Sequence, residues 1–523
     1  MMLLPNSALP LRNNAGMAST AKGFSVPPSV GGLNARDELA NMDERDALIL
    51  DNLFAEPTYL TIRRGHVEHA TGLPEADVKT IMSWEGPSSR KMFAATNGAI
   101  YDATDAGAVG AADVSSLTAN DWQFINFATS GGNFLLAVNG SDDPLNYNGS
   151  AWSTSPAITA SGLTASNLIN ITAHKERVWL IEKNTLNAWY LPSSSIGGTA
   201  VKYPLGAVFK MGGSLKAIGT MSQDAGDGAD DFLCFLTDRG ELAIYQGTDP
   251  SSANTWGIVG RYRVGVPIGN RCMLDVGGDL ALTTTDGILS VVKMMQLDRS
   301  ASENASITNK IQNLFSAAVR DYSSLFGWQG ITYPRGNWAL FNIPQSGTRS
   351  QQYVMNTITG AWCRFLDFNA ICWGLLGDDI YFGKGDGVIY KADTGYSDNG
   401  GPITASLQTA WNYFKSRGQN KFFTMARPII ETNGTPSVFM EMNVDFQDVD
   451  PTSSLEISGS DTGEWGSLVW GEWVWSGNAT YTDLWQSPGV IGYCGAMRMS
   501  IQVEGQTFAL NSFDVQALVG GPI

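Results

Sequence analysis

The histidines are the first residues to consider for chemistry, because the chain has only three and two of them stand together. His66 and His69 flank Glu68 in the segment HVEH, and imidazole and carboxylate groups are common zinc ligands. On a β-strand, however, His66 and Glu68 point to one face and His69 to the other. These side chains do not converge on one ion, so the segment predicts a surface strand without a metal.

The acidic segment DAGDGADD, from Asp224 to Asp231, is a second candidate for metal chemistry. Its carboxylates could bind calcium, but it lacks the ligand spacing and the bidentate glutamate of an EF-hand loop. We expect a solvated acidic loop, and no metal or cofactor is predicted for the protein.

Motifs of known catalytic sites are missing. Glycosidases use a pair of carboxylates, and those with propeller folds often carry an Asp-box turn. The nearest stretch is GSDTGEW, where Gly459 occupies the serine position and Trp465 comes one residue early. There is no GxSxG nucleophile elbow, no P-loop and no GxGxxG between a strand and a helix. The sequence predicts a protein that is not an enzyme.

The densest aromatic feature is EWGSLVWGEWVWS, which contains Trp465, Trp470, Trp473 and Trp475. Period two places Trp473 and Trp475 on one face of a strand. Two interpretations stay open: tryptophans packed on the core face of a sheet, or an aromatic contact with a partner subunit, since tryptophan is enriched in interface hot spots. Trp465, Trp470 and Trp473 are therefore candidate interface residues.

The elements that carry these side chains are predicted to be mostly β-strands. Of 523 residues only 16% are charged and 58 are glycine, a composition typical of short strands joined by tight turns. The net charge of −17 argues against a sequence-independent nucleic-acid binder, which needs clustered lysine and arginine. The five cysteines are scattered without CxxC spacing, as expected of buried thiols in a reducing compartment.

A hairpin pattern recurs along the middle of the chain. A short apolar strand meets an Asn-Gly, Asp-Gly or similar turn, and a second strand with an aromatic residue follows. The turns are centred on Gly98, Gly140, Asn184, Gly240, Gly287, Gly360 and Gly387. Most intervals suit propeller blades, which repeat every ~40–50 residues. The sequence predicts a β-propeller of about seven blades over residues 66–395, with NWALFNIP as the better marker near the short last interval.

Two helices are expected. Ile307, Ile311, Leu314, Phe315 and Ala318 follow helical spacing, which predicts a helical insertion over residues 304–322 that docks on a blade or on a neighbouring subunit. Ile311, Leu314 and Phe315 are thus candidate interface residues. The apolar run near Leu48–Phe54 predicts a short helix.

The two ends of the chain differ from the propeller. Residues 1–65 are predicted to form an extended N-terminal strap with the short helix. Residues 402–523, with longer strands and no hairpin marker, predict a separate C-terminal β-sandwich-like domain. No apolar stretch reaches the length of a membrane span, and the N-terminus does not resemble a signal peptide.

The segment from Phe24 to Gly65 resembles the opening of the tail nozzle, or tail hub, proteins of short-tailed bacteriophages (podoviruses), which are also described as packaged-DNA stabilisation proteins. The similar residues are Gly31-Gly32-Leu33-Asn34, Arg36-Asp37, Asp46, Leu50-Asp51-Asn52 and Arg63-Arg64-Gly65. The closing strands, MRMSIQVEGQTFALNSFDVQALVGG, resemble that family less specifically.

The resemblance implies a structural virion protein, made in the host cytoplasm and located in the phage tail. It implies a homohexameric ring below the portal and adaptor, with a bore through which genomic double-stranded DNA passes without sequence-specific binding. It also implies a needle or plug at the end of the ring, with tailspikes or fibres nearby.

Two other functions remain as alternatives. One is a propeller glycoside hydrolase or lyase acting on host surface polysaccharide, which needs two carboxylates about 5–10 Å apart in a pocket. The other is a non-enzymatic propeller scaffold that binds host partners, for which we expect a monomer with an open propeller face.

Overall fold

The computed structural model describes residues 21–224, 229–296, 305–457, 480–481 and 484–522. Strands dominate this part of the chain and form many small antiparallel sheets. Residues 225–228 of the acidic segment lie outside the described residues, as do all four tryptophans of the cluster.

Seven sheets form the blades of a β-propeller, which confirms the predicted fold. The inner strands of successive blades contact each other around a closed ring. The strands of each blade are given from the inner strand outwards. The first four blades are blade 1 (Thr80–Glu85, Arg90–Thr96, Ala99–Asp102), blade 2 (Gln123–Thr129, Gly132–Val138, Leu145–Tyr147, Trp152–Ser153), blade 3 (Leu168–His174, Arg177–Glu182, Asn187–Tyr190, Val201–Pro204) and blade 4 (Leu215–Asp224, Ala229–Thr237, Glu241–Gly247, Trp256–Arg263). The last three are blade 5 (Met273–Val276, Asp279–Thr284, Gly287–Ser290), blade 6 (Gln329–Tyr333, Trp338–Pro344, Ser350–Asn356, Trp362–Phe365) and blade 7 (Cys372–Leu376, Asp379–Gly383, Ile389–Ala392, His66–Thr71).

Six of the seven hairpin markers lie at the connection between the second and third strands of their blades, whereas Gly360 lies between the third and fourth strands of blade 6. At the first marker, Asn97 and Gly98 both have positive φ, 48° and 70°, as a type I′ turn requires. NWALFNIP is the better marker for blade 6, as predicted, because Trp338–Pro344 is the second strand of that blade and leads into the connection equivalent to the other markers. Gly360 lies one connection later, which makes the interval to Gly387 short.

Blade 7 is assembled from both ends of the propeller. Blade 7 takes its outer strand, His66–Thr71, from the start of the propeller, where it pairs antiparallel with Ile389–Ala392. This pairing of first and last strands closes the ring.

The helical insertion is confirmed and lies between blades 5 and 6. Helix α1 (Val291–Gln296) follows the last strand of blade 5, and helix α2 (Gln312–Tyr322) follows a 3₁₀ turn at Asn309–Ile311. Two short 3₁₀ segments, Ala165–Asn167 and Pro334–Gly336, lie elsewhere in the propeller. No helix of the described residues is long and apolar enough to span a membrane.

A β-sandwich adjoins the propeller, but it is not the separate C-terminal unit that the sequence predicted, because strands from residues 22–62 complete it and one of its sheets continues into blade 6. Its two sheets share one hydrophobic core that includes Phe423, Ile430, Met499 and Phe513. The first sheet contains Gln419–Thr432, Phe508–Pro522, Lys22–Val26, Leu53–Ala55, Leu60–Ile62, Val490–Gly492 and Thr480–Tyr481. The second contains Gly32–Leu33, Asp46–Asp51, Ile403–Thr409, Gly495–Val503, Ser437–Val444 and Ser454–Leu455, and it continues into blade 6.

The N-terminal segment is woven into this sandwich. Lys22–Val26 pairs with residues 513–517, and Asp46–Asp51 lies between Ile403–Thr409 and blade 6. The predicted short helix near Leu48–Phe54 was wrong, because this apolar run forms two strands, Asp46–Asp51 and Leu53–Ala55. Pairing on both sides of the first strand favours extended backbone over a helix.

Candidate functional site

Arg63 lies where the N-terminal segment, the propeller and the sandwich meet. Its side chain is 0% exposed. The guanidinium donates to both carboxylate oxygens of Asp398, at 2.9 and 2.6 Å, and to Asn52 Oδ1 at 2.8 Å. Its carbon lies 4.2 Å from the centre of the Phe368 ring. A bidentate, charge-assisted contact of this kind has a strict geometry.

Asp398 connects this arginine to the propeller. His66 Nδ1, at the start of the closing strand, lies 3.0 Å from Asp398 Oδ1. Burial opposes ionisation of Asp398, but the hydrogen bonds from Arg63 and His66 outweigh it and lower its pKa to about 2. The carboxylate therefore stays charged over the physiological range.

A second ion pair joins the N-terminal segment to blade 6. Arg364 donates through Nε and Nη2 to the two oxygens of Asp51, both at 2.7 Å. Asn52, the next residue, accepts from the Leu366 amide at 2.8 Å. Two consecutive side chains thus fix this strand against the edge of the blade.

A third contact involves the helical insertion. Lys310 Nζ donates to Asp46 Oδ1 at 2.8 Å and to the Gly31 carbonyl at 3.0 Å. Asn34 Nδ2 donates to the other oxygen of Asp46 at 2.7 Å and to Asp37 Oδ2 at 2.9 Å. The carboxylate of Asp46 therefore links the N-terminal segment to the turn before α2.

Gly65 allows a close approach of two chain segments. A Cβ at this position would lie 1.8 Å from the carbonyl oxygen of Ser397. The backbone of Gly65 accepts from the Thr394 amide and donates to the Gly395 carbonyl, both at 3.1 Å. Only glycine fits here without moving the linker between propeller and sandwich.

We call these contacts the junction network: Asn34, Asp46, Asp51, Asn52, Arg63, Gly65, His66, Lys310, Arg364 and Asp398. Its charges are matched within the chain and largely buried, so the network fastens three parts of the fold together. Many of its members belong to the residues that carry the sequence resemblance.

The candidate interface residues on α2 face their own chain. Ile311 and Phe315 are 0% exposed and Leu314 is partly buried, all against the core shared with blade 6. This packing corrects the expectation of a partner contact for Ile311 and Phe315. Trp465, Trp470 and Trp473 lie outside the described residues.

The remaining reactive side chains have structural partners. His69 Nε2 lies 3.2 Å from the Thr104 carbonyl, away from His66. Within the described ranges, no group of histidine, cysteine and acidic residues has metal-binding geometry. All five cysteines are unbridged and buried, and burial raises the pKa of Cys372 to about 12.

The propeller encloses a central cavity of about 370 Å³, lined by inner-strand residues such as Gln123, Asn170 and Thr220. Arg271 lies at its wall and donates to Asp121 Oδ1 at 3.1 Å, to Thr80 Oγ1 at 2.6 Å and to Gln329 Oε1 at 3.1 Å. This guanidinium therefore ties blades 1, 2 and 6 together across the channel.

Sequence reasoning did not identify the junction network as a site. Its partners are far apart in the chain: Arg63 and Asp398 are separated by 335 residues, and Asp51 and Arg364 by 313. One feature of the sequence could have indicated the network: residues 31–65 are rich in charged and amide side chains, although only 16% of the whole chain is charged.

No protein-family model and no curated protein matches the chain significantly. Solved structures with a similar fold include BBS1N in complex with ARL6DN, at 8% identity and a TM-score of 0.39, covering 63% of this chain and 97% of that chain. YCF48 bound to D1 peptide matches at 13% identity and a TM-score of 0.35, and the match covers 65% of this chain and 97% of that chain. The WD40 β-propeller domain of Doa1 matches at 12% identity and a TM-score of 0.37, covering 62% and 96%.

Proposed function

We propose that this protein is a structural subunit of a short-tailed phage virion: a tail nozzle that forms a ring below the portal and adaptor and conducts and retains packaged DNA until ejection. The observation that carries the proposal is the junction network. Residues 31–65, which resemble the opening of nozzle proteins, supply most of it and fix the propeller to the sandwich. A subunit of a DNA-conducting ring needs such a rigid connection between its parts.

The side chains of the network favour a structural role. Arg63, Asp398, Asp51 and Arg364 are engaged with each other, whereas a catalytic acid or base must reach a substrate proton. In the proposed ring, partners bind other surfaces: the adaptor above, a needle or plug at the end, and tailspikes or fibres at the side.

The test is the location and assembly of the protein. An antibody raised against the purified chain should label the tails of virions encoded by the same genome, and electron microscopy of those tails should show a sixfold ring with the propeller density. Labelling confined to the host cytoplasm, or release of sugars from host polysaccharide by the purified chain, would contradict the proposal.

The net charge of −17 leads to a further expectation for this function. DNA slides freely only if phosphate contacts are few, because each lysine or arginine contact adds salt-dependent affinity. The bore should therefore be lined by aspartate, glutamate and neutral polar residues, with screening over about 8 Å limiting the repulsion. The assembled ring should not bind duplex DNA at about 150 mM salt; measurable binding would contradict a lubricating bore.

A further inference from the structure

Among the described residues, the outer strand of blade 4, Trp256–Arg263, is eight residues long and pairs with no further strand on its outer side. In the described part of the chain, blades 1, 5, 6 and 7 have their outer strands bridged or paired to further residues. The other unpaired outer strands are short: Trp152–Ser153 in blade 2 and Val201–Pro204 in blade 3. A long unpaired edge presents backbone donors and acceptors to a partner strand.

Exposed β-branched side chains lie on this edge. Ile258 is 46% exposed and Val259 is 45% exposed. Val259 is the extra residue of a bulge, at the register shift between Ile244 and Tyr245. Exposed apolar side chains on a free strand edge are typical of strand-addition sites.

The edge has a defined face towards blade 3. Ile258, Arg261 and Arg263 stand opposite Tyr245, Ala243 and Glu241 in the ladder, and Ala243 and Tyr245 belong to the core between blades 3 and 4. Because the bulge adds one residue, all three side chains point to the same side.

The charge of this face is positive, although the whole chain is acidic. Arg261 and Arg263 are exposed, and no described carboxylate lies within ion-pair distance of either. Arg261 donates to the Val208 carbonyl at 2.8 Å. The nearby Glu241 carboxylate is engaged by the Lys210 and Met211 amides at 3.0 and 2.8 Å.

We propose that the edge strand of blade 4 is a docking site for an extended, acidic segment of a partner protein. The segment adds a strand to the sheet, places an apolar residue beside Ile258 and presents two carboxylates, two residues apart, to Arg261 and Arg263. The period of two along a strand sets this spacing. Charge complementarity selects an acidic partner over a neutral one.

Peptide binding to the full-length protein tests this proposal. The probe is a fluorescein-labelled peptide TVTVTETET, and the control peptide is TVTVTKTKT. We expect the glutamate peptide to bind at least tenfold more tightly and to weaken as salt rises, because the contacts are solvent-exposed ion pairs. The double variant Arg261→Glu with Arg263→Glu should reverse the preference.

A matched control separates local from overall charge. The control is the double variant Arg320→Glu with Arg349→Glu, which changes the net charge by the same amount as the edge variant. Arg320 lies on helix α2 and Arg349 directly precedes a strand of blade 6, and both are exposed. This variant should leave peptide binding unchanged. If the double glutamate variant does not fold, Arg261→Gln with Arg263→Gln should still weaken binding of the glutamate peptide about tenfold.

Three results would overturn the proposal. These are equal affinity for the two peptides, unchanged binding by the edge variants, and no binding up to millimolar peptide. Tighter binding of a duplex DNA probe to the same arginines would also overturn it, since it would make the surface a phosphate site. None of these results depends on whether the protein forms a tail ring.

Discussion

Arg63 is a fully buried cation whose charge is matched by Asp398, so its removal leaves a buried carboxylate without its main partner. Arg63→Met should lower the free energy of unfolding by about 3–5 kcal/mol, as measured by urea denaturation. Arg64→Met is a matched control, because the neighbouring Arg64 is exposed, and it should change stability by less than about 0.5 kcal/mol. Equal losses in both variants would contradict the role given to Arg63.

Asp398 predicts an acid-sensitive junction. Its pKa of about 2 in the folded protein lies below the ordinary value of 3.8, so its ionisation stabilises the fold above about pH 4 and this contribution, on the order of 2 kcal/mol, is lost as the pH falls towards 2. The stability difference between the wild type and Asp398→Asn should therefore shrink over that range. A difference that stays constant between pH 5 and pH 2.5 would contradict this assignment.

Helix α2 is held by a few apolar side chains on one face. Phe315 is 0% exposed and packs edge-on against Trp328, with ring centres 6.0 Å apart. Phe315→Ala should lower the free energy of unfolding by about 3–5 kcal/mol, because it leaves a cavity in the core. Arg320→Ala, at a side chain that is 74% exposed, is the control and should have little effect in the same thermal or urea melts.

A charged side chain at Leu314 provides a second test of how helix α2 is docked. It is partly buried against the core, so Leu314→Asp brings a carboxylate next to apolar groups and should lower the melting temperature. An unchanged melting temperature would show that the helix is docked by Ile311 and Phe315 without help from Leu314.

The propeller and the sandwich are expected to unfold together. One ten-stranded sheet runs from blade 6 into the sandwich, and one hydrophobic core spans both. Scanning calorimetry of the wild type should therefore show a single transition, although separate domains usually unfold separately. Arg63→Met combined with Asp51→Asn should split the transition, because both junction ion pairs are lost; two transitions already in the wild type would contradict this coupling.

The local part of the fold followed from the sequence. Turn residues such as Asn97 and Gly98 set the backbone conformation of a hairpin within four residues, so the seven hairpins and the propeller could be predicted from their spacing. The helix at Gln312–Tyr322 was also predicted, because its apolar period is local.

Only the tertiary structure decided how the two ends of the chain are used. Residues 46–51 have an apolar run that suits a helix, yet they form a strand because Ile403–Thr409 and blade 6 supply its neighbours from more than 300 positions away. The partners of Arg63 and Asp51 are equally distant. Local pattern contains no information on such pairings, because they depend on the closed ring that brings residue 66 beside residue 392.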